Sequence, residues 1–258
     1  MTATYEHIRL GVADRVARVT FAQPPLNIFN IAMMREIAEA LTQCSGGEIV
    51  AIVFDADKNC RAFCAGVAVE EHMEQTVYQM LDSFHSVFRL LEQLAKPTIA
   101  LVDGAALGGG CELVAACDMV IASERARFGQ PEIKLGVFPP VAAILLPLVI
   151  GDKRARELIL TGEVVDAMEA GRLGLVNHVV PSSHLEQKLL EVLSKLRELS
   201  GTSLEFTRKA LDLGRSRTLD MALKSVEDVY LHELMKSKDA KEGIKAFMEK
   251  RKPVWRNR

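Results

Sequence analysis

The sequence predicts an α/β fold with a largely parallel sheet, followed by a helical C-terminal portion. Continuous apolar runs at 50–54 and 98–102 are typical of strands that are covered on both faces. Amphipathic helical patterns alternate with such runs through the first 150 residues, which is the pattern of an α/β core. Beyond about residue 150 the patterns are mostly helical.

Local patterns define the predicted elements in chain order. Residues 5–21 alternate between apolar and polar side chains, which predicts two strands around a turn. Asn30 is a suitable N-cap for a helix over 31–44, because its side chain can accept a hydrogen bond from the first helical turn. An apolar stripe at helical spacing predicts a long helix over 77–94. A further strand is predicted at 119–122.

The C-terminal portion has little strand signal apart from LVNHVV at 175–180. Its helical patterns cover 153–160, 184–199, 203–213, 220–236 and 239–250. Because these amphipathic helices have little core of their own, we expect the last of them to pack on the preceding part of the chain or on a neighbouring subunit. We therefore divide the chain into a core with the candidate site at 1–200 and a helical C-terminal region at 201–258.

Composition argues against several classes of protein. The 258 residues are 49% apolar and 26% charged, which indicates a globular chain long enough for a substantial core. The net charge of −2 gives no electrostatic support for a nucleic-acid partner. Neither a secretory signal nor an apolar stretch of membrane-spanning length is expected. The five cysteines are odd in number and none are spaced as C-x-x-C, which favours reduced thiols in the cytoplasm over disulfides or a metal site.

The stretch ALVDGAALGGGCELVAACDMVIA (100–122) places three consecutive glycines and one glutamate, Glu112, in an apolar segment. Both features cost stability, because glycine loses the most backbone freedom on folding and a buried carboxylate loses its hydration. A strand that leads into a helix here would present free backbone N–H groups and the positive end of the helix dipole. The glycines would let a ligand approach that backbone closely, as at an anion or oxyanion site.

Motifs that are missing narrow the kind of site. The dinucleotide fingerprint, the phosphate loop and the G-x-S-x-G elbow do not occur. A carbonyl that becomes negative during reaction, with Glu112 nearby to move a proton, fits better than a phosphate, which Glu112 would repel. The small residues at 65–68 offer a second set of N–H donors, and Glu132 in RFGQPEIKLGVFPP offers a second acid.

With these residues identified, the sequence resembles the crotonase (enoyl-CoA hydratase/isomerase) superfamily. The resemblance extends over nearly the whole chain and is carried, in order, by FCAG (63–66), ALGGGCEL (106–113), FGQPEIKLG (128–136) and KEGIKAFMEKRKP (241–253). It implies a crotonase-type spiral of ββα turns and a C-terminal helical region used in trimerisation. It also implies assembly as a homotrimer or as a dimer of trimers.

The resemblance implies roles for single residues. The N–H groups of Val67 and Gly109 would hold the thioester oxygen of an acyl-CoA, while Glu112 and Glu132 would add water across its double bond. The residues implied to contact the CoA or the substrate are Pro25, Leu26, Ala65, Val67, Ala68, Val69, Pro140, Phe247 and Lys250. The last two would approach from a neighbouring subunit. No tightly bound cofactor and no metal is implied, since coenzyme A is part of the substrate.

Departures from the family pattern bear on the substrate. Ala68 stands where relatives usually have Asp, and Pro139–Pro140 stands where they have Pro-Gly, so that Pro140 offers no N–H to water or substrate. The segments PPLNIF and FPPVAA are similar to those of cyclohexa-1,5-diene-1-carbonyl-CoA hydratases. This similarity implies hydration of that thioester to 6-hydroxycyclohex-1-ene-1-carbonyl-CoA, in the degradation of aromatic compounds.

Other interpretations stay open. A general enoyl-CoA hydratase, an enoyl-CoA isomerase or a thioester hydrolase would use the same fold, whereas an RNA-binding protein is disfavoured by the near-neutral charge. Glu112 could merely complement the helix dipole, and Glu132 could be a solvated turn residue. A lone histidine such as His72 is more often structural than functional. The basic tail at 250–258 could contact CoA phosphates or simply be the exposed end of a helix.

Overall fold

The computed structural model describes residues 5–215 and 218–257. Its strands are three to six residues long. They are β1 (Ile8–Ala13), β2 (Val16–Phe21), β3 (Ala51–Ala56), β4 (Ala62–Cys64), β5 (Thr98–Val102), β6 (Ala105–Leu107), β7 (Met119–Ser123), β8 (Arg127–Gly129), β9 (Val164–Asp166) and β10 (His178–Val180). Three residues of the predicted C-terminal region 201–258, at positions 216, 217 and 258, lie outside the described residues.

The helices occupy most of the predicted positions. They are α1 (Ile31–Thr42), α2 (Val77–Leu94), α3 (Gly109–Ala116), α4 (Pro140–Ile150), α5 (Asp152–Thr161), α6 (Ala167–Leu173), α7 (Leu185–Arg197), α8 (Gly201–Leu213), α9 (Leu219–His232) and α10 (Lys238–Met248). Within the two described ranges, no helix combines the length and the apolar character that a membrane crossing requires.

Two sheets are linked by a repeating path of the chain. The larger sheet has the order β1-β2-β3-β5-β7-β10, and all its neighbours are parallel except β1 and β2. The smaller sheet has the order β4-β6-β8-β9 and is parallel except between β8 and β9. The successive pairs β3–β4, β5–β6 and β7–β8 each give one strand to each sheet, so the chain winds as a spiral. The predicted α/β spiral with a helical C-terminal portion is thus confirmed.

The elements predicted from local patterns form for the expected reasons. The side chain of Asn30 accepts a hydrogen bond from the backbone N–H of Met33 at 2.8 Å and so starts α1. Every residue of β5 is buried, as its continuous apolar run indicated. Helix α2 has the predicted bounds and buries Phe84 and Leu91, among others, on its inner stripe.

An aromatic cluster fixes the segment that leads to the candidate site. The ring of Phe21 in β2 packs edge-on against Phe29 and Phe63, each at a centroid distance of 5.1 Å. All three rings are almost completely buried. Phe29 then forms a β-bridge with Val67. The core thereby sets the position of the chain that follows β4.

Several elements differ from the sequence prediction. The expectation that strands disappear after residue 150 except at 175–180 is wrong, because β9 also forms and pairs with β8. Within the segment 175–180, the strand covers only His178–Val180. A strand of three residues is too short to show a periodicity, so its pairing comes from the partner strand. Helix α4 was not predicted, because it starts at Pro140, contains Pro147 and is apolar on most sides.

Buried polar contacts attach the C-terminal helices to the core. Lys96 is 1% exposed, and its ammonium group donates to Glu205 of α8 at 2.6 Å and to two backbone carbonyls before β3. Arg208, also in α8, donates to Asp118 at 2.9 Å and to the carbonyl of Leu91 at 2.8 Å. Of the two alternatives left open by the sequence, α8 therefore packs on its own core.

Candidate active site

Residues 65–72, helices α2 and α3, and the segment 131–140 enclose an apolar pocket of about 390 Å³. Among the described residues that line it, only His72, Glu112 and Glu132 have polar side chains. Its larger apolar side chains are those of Val67, Val69, Val77, Met80, Leu81, Phe84, Leu135, Val137, Phe138, Pro139 and Pro140. An apolar cavity with a few convergent polar groups is typical of a small-molecule site.

A larger cleft, of about 730 Å³, lies elsewhere on the molecule and contains neither predicted acid. Five of its charged side chains pair with one another: Arg18 with Asp55 and Glu186, and Arg125 with Asp103. The smaller pocket contains both Glu112 and Glu132 and is therefore the candidate active site.

Two glycines allow α3 to approach the segment after β4. A Cβ atom on Gly109 would lie 2.7 Å from Cγ2 of Val67, and one on Gly110 would lie 2.5 Å from the carbonyl oxygen of Cys64. Both distances are shorter than real contacts of a Cβ atom. The glycines thus allow close packing, and this packing brings Gly109 against Val67.

The backbone N–H groups of Val67 and Gly109, the predicted donors to a thioester oxygen, lie on two segments that pack against each other. Gly109 is the first residue of α3, so its N–H has no acceptor within the helix. The N–H of Phe29 donates to the carbonyl of Gly66, and the N–H of Ala68 donates to the carbonyl of Phe29, both at 2.9 Å. Because successive N–H groups of an extended chain point to opposite sides, that of Val67 points away from Phe29. Such a pair of N–H groups can polarise a carbonyl oxygen.

Glu112 is 2% exposed and connects α3 to α4. Its Oε1 accepts hydrogen bonds from the N–H groups of Val141 and Ala142, both at 2.8 Å. Pro140 precedes them at the first helical position, where a missing N–H costs nothing. Burial raises the pKa of Glu112 to about 7; the charge of Glu132 adds to this rise, and the two N–H groups oppose it. A carboxyl that titrates near neutral pH can both give and take a proton.

Glu132 lies in a short 3-10 helix, Pro131–Leu135, directly after β8. A Cβ atom on Gly108 would lie only 2.5 Å from Oε1 of Glu132. Gly108 also has a positive φ of 51°, which favours glycine at this position. The side-chain amide of Gln130, oriented with its nitrogen towards the carboxylate, donates a hydrogen bond to Oε2 of Glu132 at 3.2 Å. Burial raises the pKa of Glu132. The sequence singled out Glu132 but not Gln130, whose only signal is its place in FGQPE.

The predicted CoA and substrate contacts are only partly brought together. Those in the pocket wall are Ala65, Val67, Val69 and Pro140. Leu26 lies beside the wall, because its carbonyl accepts a hydrogen bond from Ala65 N at 3.0 Å, and the preceding Pro25 is exposed. Ala68 is 4% exposed and lies behind the wall.

Phe247 and Lys250 lie at the end of α10 and do not line this pocket. Phe247 is 86% exposed. The contact predicted for these residues is with an acyl-CoA bound to a neighbouring copy of the chain. That contact stays a prediction.

Cys111 lies between Gly110 and Glu112 in α3 and is 2% exposed. Burial raises the pKa of its thiol to about 12, so it stays protonated at neutral pH. It therefore behaves as a small apolar residue of the core. Over residues 5–215 and 218–257, no group of three or more His, Cys, Asp or Glu side chains could hold a metal ion.

A ββα spiral in which two half-buried or buried acids lie beside two free N–H groups is the architecture expected of a crotonase-type enzyme. The model of the enoyl-CoA hydratase/isomerase family matches residues 11–258. The chain therefore belongs to the enoyl-CoA hydratase/isomerase family, which confirms the resemblance seen in the sequence.

Similar proteins cover nearly the whole chain. The cyclohexa-1,5-dienecarbonyl-CoA hydratase of Thauera aromatica is 37% identical over 243 residues, which is 93% of each chain. The crotonyl-CoA hydratase of Syntrophomonas wolfei is 33% identical over 255 residues, 96% of this chain and 97% of the relative. The crystal structure of an enoyl-CoA hydratase from Bacillus anthracis has a TM-score of 0.91 at 32% identity and covers 98% of this chain and 100% of its own.

Replacing Gly110 by alanine is expected to destabilise the protein by about 2 kcal/mol, because the new Cβ atom would collide with backbone that cannot easily move. Gly11→Ala is the matched control, since no atom lies within 4 Å of a Cβ atom built there. It should change stability by less than about 1 kcal/mol. Urea unfolding followed by circular dichroism measures both effects, and equal loss of stability in the two variants would contradict the packing role.

The raised pKa of Glu112 predicts a dependence of stability on pH. The native carboxyl keeps its proton up to about pH 7, whereas the unfolded one loses it near the ordinary pKa of 4.5. The native state therefore binds more protons in this window, and stability falls as pH rises through it. Glu112→Gln removes this loss. Between pH 4.5 and 7.5, the free energy of unfolding of the variant should therefore rise by about 3 kcal/mol relative to that of wild type. Guanidinium titrations that show parallel pH profiles would refute the assignment.

Proposed function

We propose that this protein is a hydratase, a hydro-lyase that adds water to the double bond of an α,β-unsaturated acyl-CoA thioester. The observation that carries the proposal is the meeting of Glu112, Glu132 and the free N–H groups of Val67 and Gly109 around one apolar pocket. Membership of the family and the hydratase names of the relatives from Thauera and Syntrophomonas support it.

In the proposed reaction, Val67 N–H and Gly109 N–H donate to the thioester oxygen. Their bonds strengthen as negative charge develops there, and the loss of one such donor typically costs about 3 kcal/mol of barrier. One carboxyl takes a proton from water while the remaining hydroxide adds to the β-carbon. The other carboxyl gives its proton to the α-carbon or, in a conjugated diene, to the far end of the second double bond. One water is consumed and no other reactant is needed.

The two acids are suited to share this proton transfer near neutral pH. Burial raises the pKa of both, and the charge of Glu132 raises that of Glu112 further, to about 7. Two neighbouring carboxyls that resist double ionisation favour one protonated and one charged partner. That is the state the addition of water requires.

We also propose that the acyl group is cyclohexa-1,5-diene-1-carbonyl, which would be converted to 6-hydroxycyclohex-1-ene-1-carbonyl-CoA. The similarity to the Thauera aromatica enzyme, at 37% identity, supports this narrower substrate. Pro139 and Pro140 both line the pocket, so the wall next to Glu112 is apolar and lacks an N–H at residue 140. An apolar wall of this kind suits a compact hydrocarbon ring.

We propose further that the protein acts as a homo-oligomer, a trimer or a dimer of trimers. The helices of the region 201–258 leave large apolar side chains exposed, which is unusual for a surface that faces only water. The most exposed of these include Leu219 at 75%, Phe247 at 86% and Met248 at 70%. In an assembly, Phe247 and Lys250 would reach the CoA bound to a neighbouring subunit.

Glu112→Gln and Glu132→Gln are each expected to lower kcat for the hydration of crotonyl-CoA at least about 100-fold, because each removes a proton donor or acceptor. Binding of the unreactive butyryl-CoA should change little. Loss of the conjugated thioester absorbance measures the rate, and calorimetry measures binding. Glu124→Gln, at an exposed acid, is the control and should be fully active. Full activity in either pocket variant would reject the assigned pair.

A comparison of two thioesters tests the proposed acyl group. We expect kcat/KM for cyclohexa-1,5-diene-1-carbonyl-CoA to exceed that for crotonyl-CoA at least about tenfold, as a pocket matched to a ring gains apolar contact with it. Mass spectrometry of the products identifies the reaction, because hydration adds one water, isomerisation adds nothing and hydrolysis releases free CoA. A strong preference for crotonyl-CoA would overturn the ring assignment.

A further inference from the structure

His72 is the third polar side chain of the pocket, and the proposed reaction does not use it. It ends a short 3-10 helix, Val69–His72, that follows the N–H donor Val67. A polar ring in an apolar wall needs a hydrogen-bonding partner, or its burial costs free energy. The question is which partner His72 has on each side.

The protein binds one edge of the His72 ring and leaves the other available. Nδ1 lies 3.0 Å from the carbonyl oxygen of Ala68. A carbonyl oxygen only accepts hydrogen bonds, so Nδ1 carries the hydrogen, and in the neutral ring Nε2 is then an acceptor. Ala68 is itself fixed, because its N–H donates to Phe29 O at 2.9 Å. The ring is thus held with an acceptor at its free edge.

His72 lies at the end of the pocket where α2 begins. Phe84 packs on Gly109, whose Cβ position would be 3.1 Å from its ring. Val77, seven residues earlier in α2, lies about 10 Å further along the helix. The hydroxyl of Thr76 donates to the carbonyl of Glu71 at 3.0 Å and ties the residue before His72 to the start of α2.

The thioester would enter from the other direction. Ala65 lines the pocket and is hydrogen bonded to Leu26, at the side where the CoA is proposed to lie. With the thioester oxygen at Gly109, an acyl group that follows the α2 side chains lining the pocket would extend towards Val77. His72 therefore faces the part of the acyl group beyond the reacting carbons.

We propose that Nε2 of His72 accepts a hydrogen bond from a hydroxyl group on the acyl unit, which makes His72 a specificity-determining residue for hydroxylated acyl-CoA thioesters. The inference rests on the proposed function in taking acyl-CoA as the ligand of this pocket. An O–H without a partner would be costly in so apolar a site, and the bond to Nε2 removes that cost.

Unreactive ligand pairs test the proposal by calorimetry. The pairs are cyclohexanecarbonyl-CoA with trans-4-hydroxycyclohexanecarbonyl-CoA, and hexanoyl-CoA with 6-hydroxyhexanoyl-CoA. None has a conjugated double bond or a hydroxyl on the β-carbon, so binding is measured without turnover. In at least one pair, wild type should bind the hydroxylated member about three- to tenfold more tightly, as expected for one added hydrogen bond.

Two variants separate recognition from a structural role. In His72→Asn the amide nitrogen takes the place of Nδ1 and keeps the bond to Ala68, but nothing replaces Nε2, so the preference should disappear. In His72→Gln the side-chain oxygen reaches the position of Nε2, so at least half of the preference should remain. A purely structural histidine predicts the reverse, with Asn harmless and Gln damaging. Melting temperatures of both variants show whether the fold is kept.

Each outcome decides the matter. A wild type without preference in either pair, or an Asn variant that keeps the preference, would overturn the role of His72. Equal weakening of all four ligands in the Asn variant would also overturn it, because His72 would then contact the CoA itself. Hydration of crotonyl-CoA by wild type tests the proposed function separately. A preference without hydration would leave this inference standing, and hydration without a preference would reject this inference alone.

Discussion

The two hydrogen bonds from the first turn of α4 to Glu112 are the interaction on which the candidate site depends. One buried carboxyl oxygen satisfies two N–H groups that have no partner within their helix. In return, the helix start stabilises the charged carboxylate against the effect of burial, which leaves its pKa near neutral. The same contact anchors the segment that carries Glu132 and the proline wall, so both acids and the pocket depend on it.

The spiral explains how separate parts of the chain reach this contact. Strands β4 and β6 pair in parallel, with Ala62 opposite Ala105, so both emerge at the same edge of the smaller sheet. The segment that follows β4 contains Val67, and α3, which begins at Gly109, follows β6. Two N–H donors that are 42 residues apart in the sequence therefore meet, because neighbouring turns of one spiral end side by side.

Much of the fold and part of the site could be predicted from the sequence. Long buried strands and α2 have patterns that extend over enough residues to be recognised, and family motifs indicated Glu112 and Glu132. The three-residue strands could not be predicted, because their pairing is set by distant segments and not by local pattern. Nor could α4, whose prolines argue against a helix. The bond of Glu112 to α4 and the anchoring of His72 on Ala68 depend on tertiary contacts that no local pattern contains.

The thiol of Cys111 gives a chemical report on this arrangement. It is enclosed in α3 beside Glu112 and has a pKa of about 12, so a thiol-alkylating reagent finds neither access nor thiolate while the helix is in place. Labelling at this residue therefore requires α3 to leave the core. The labelling rate in native buffer would measure how often the interior around the acid pair opens, a quantity that turnover assays do not reveal.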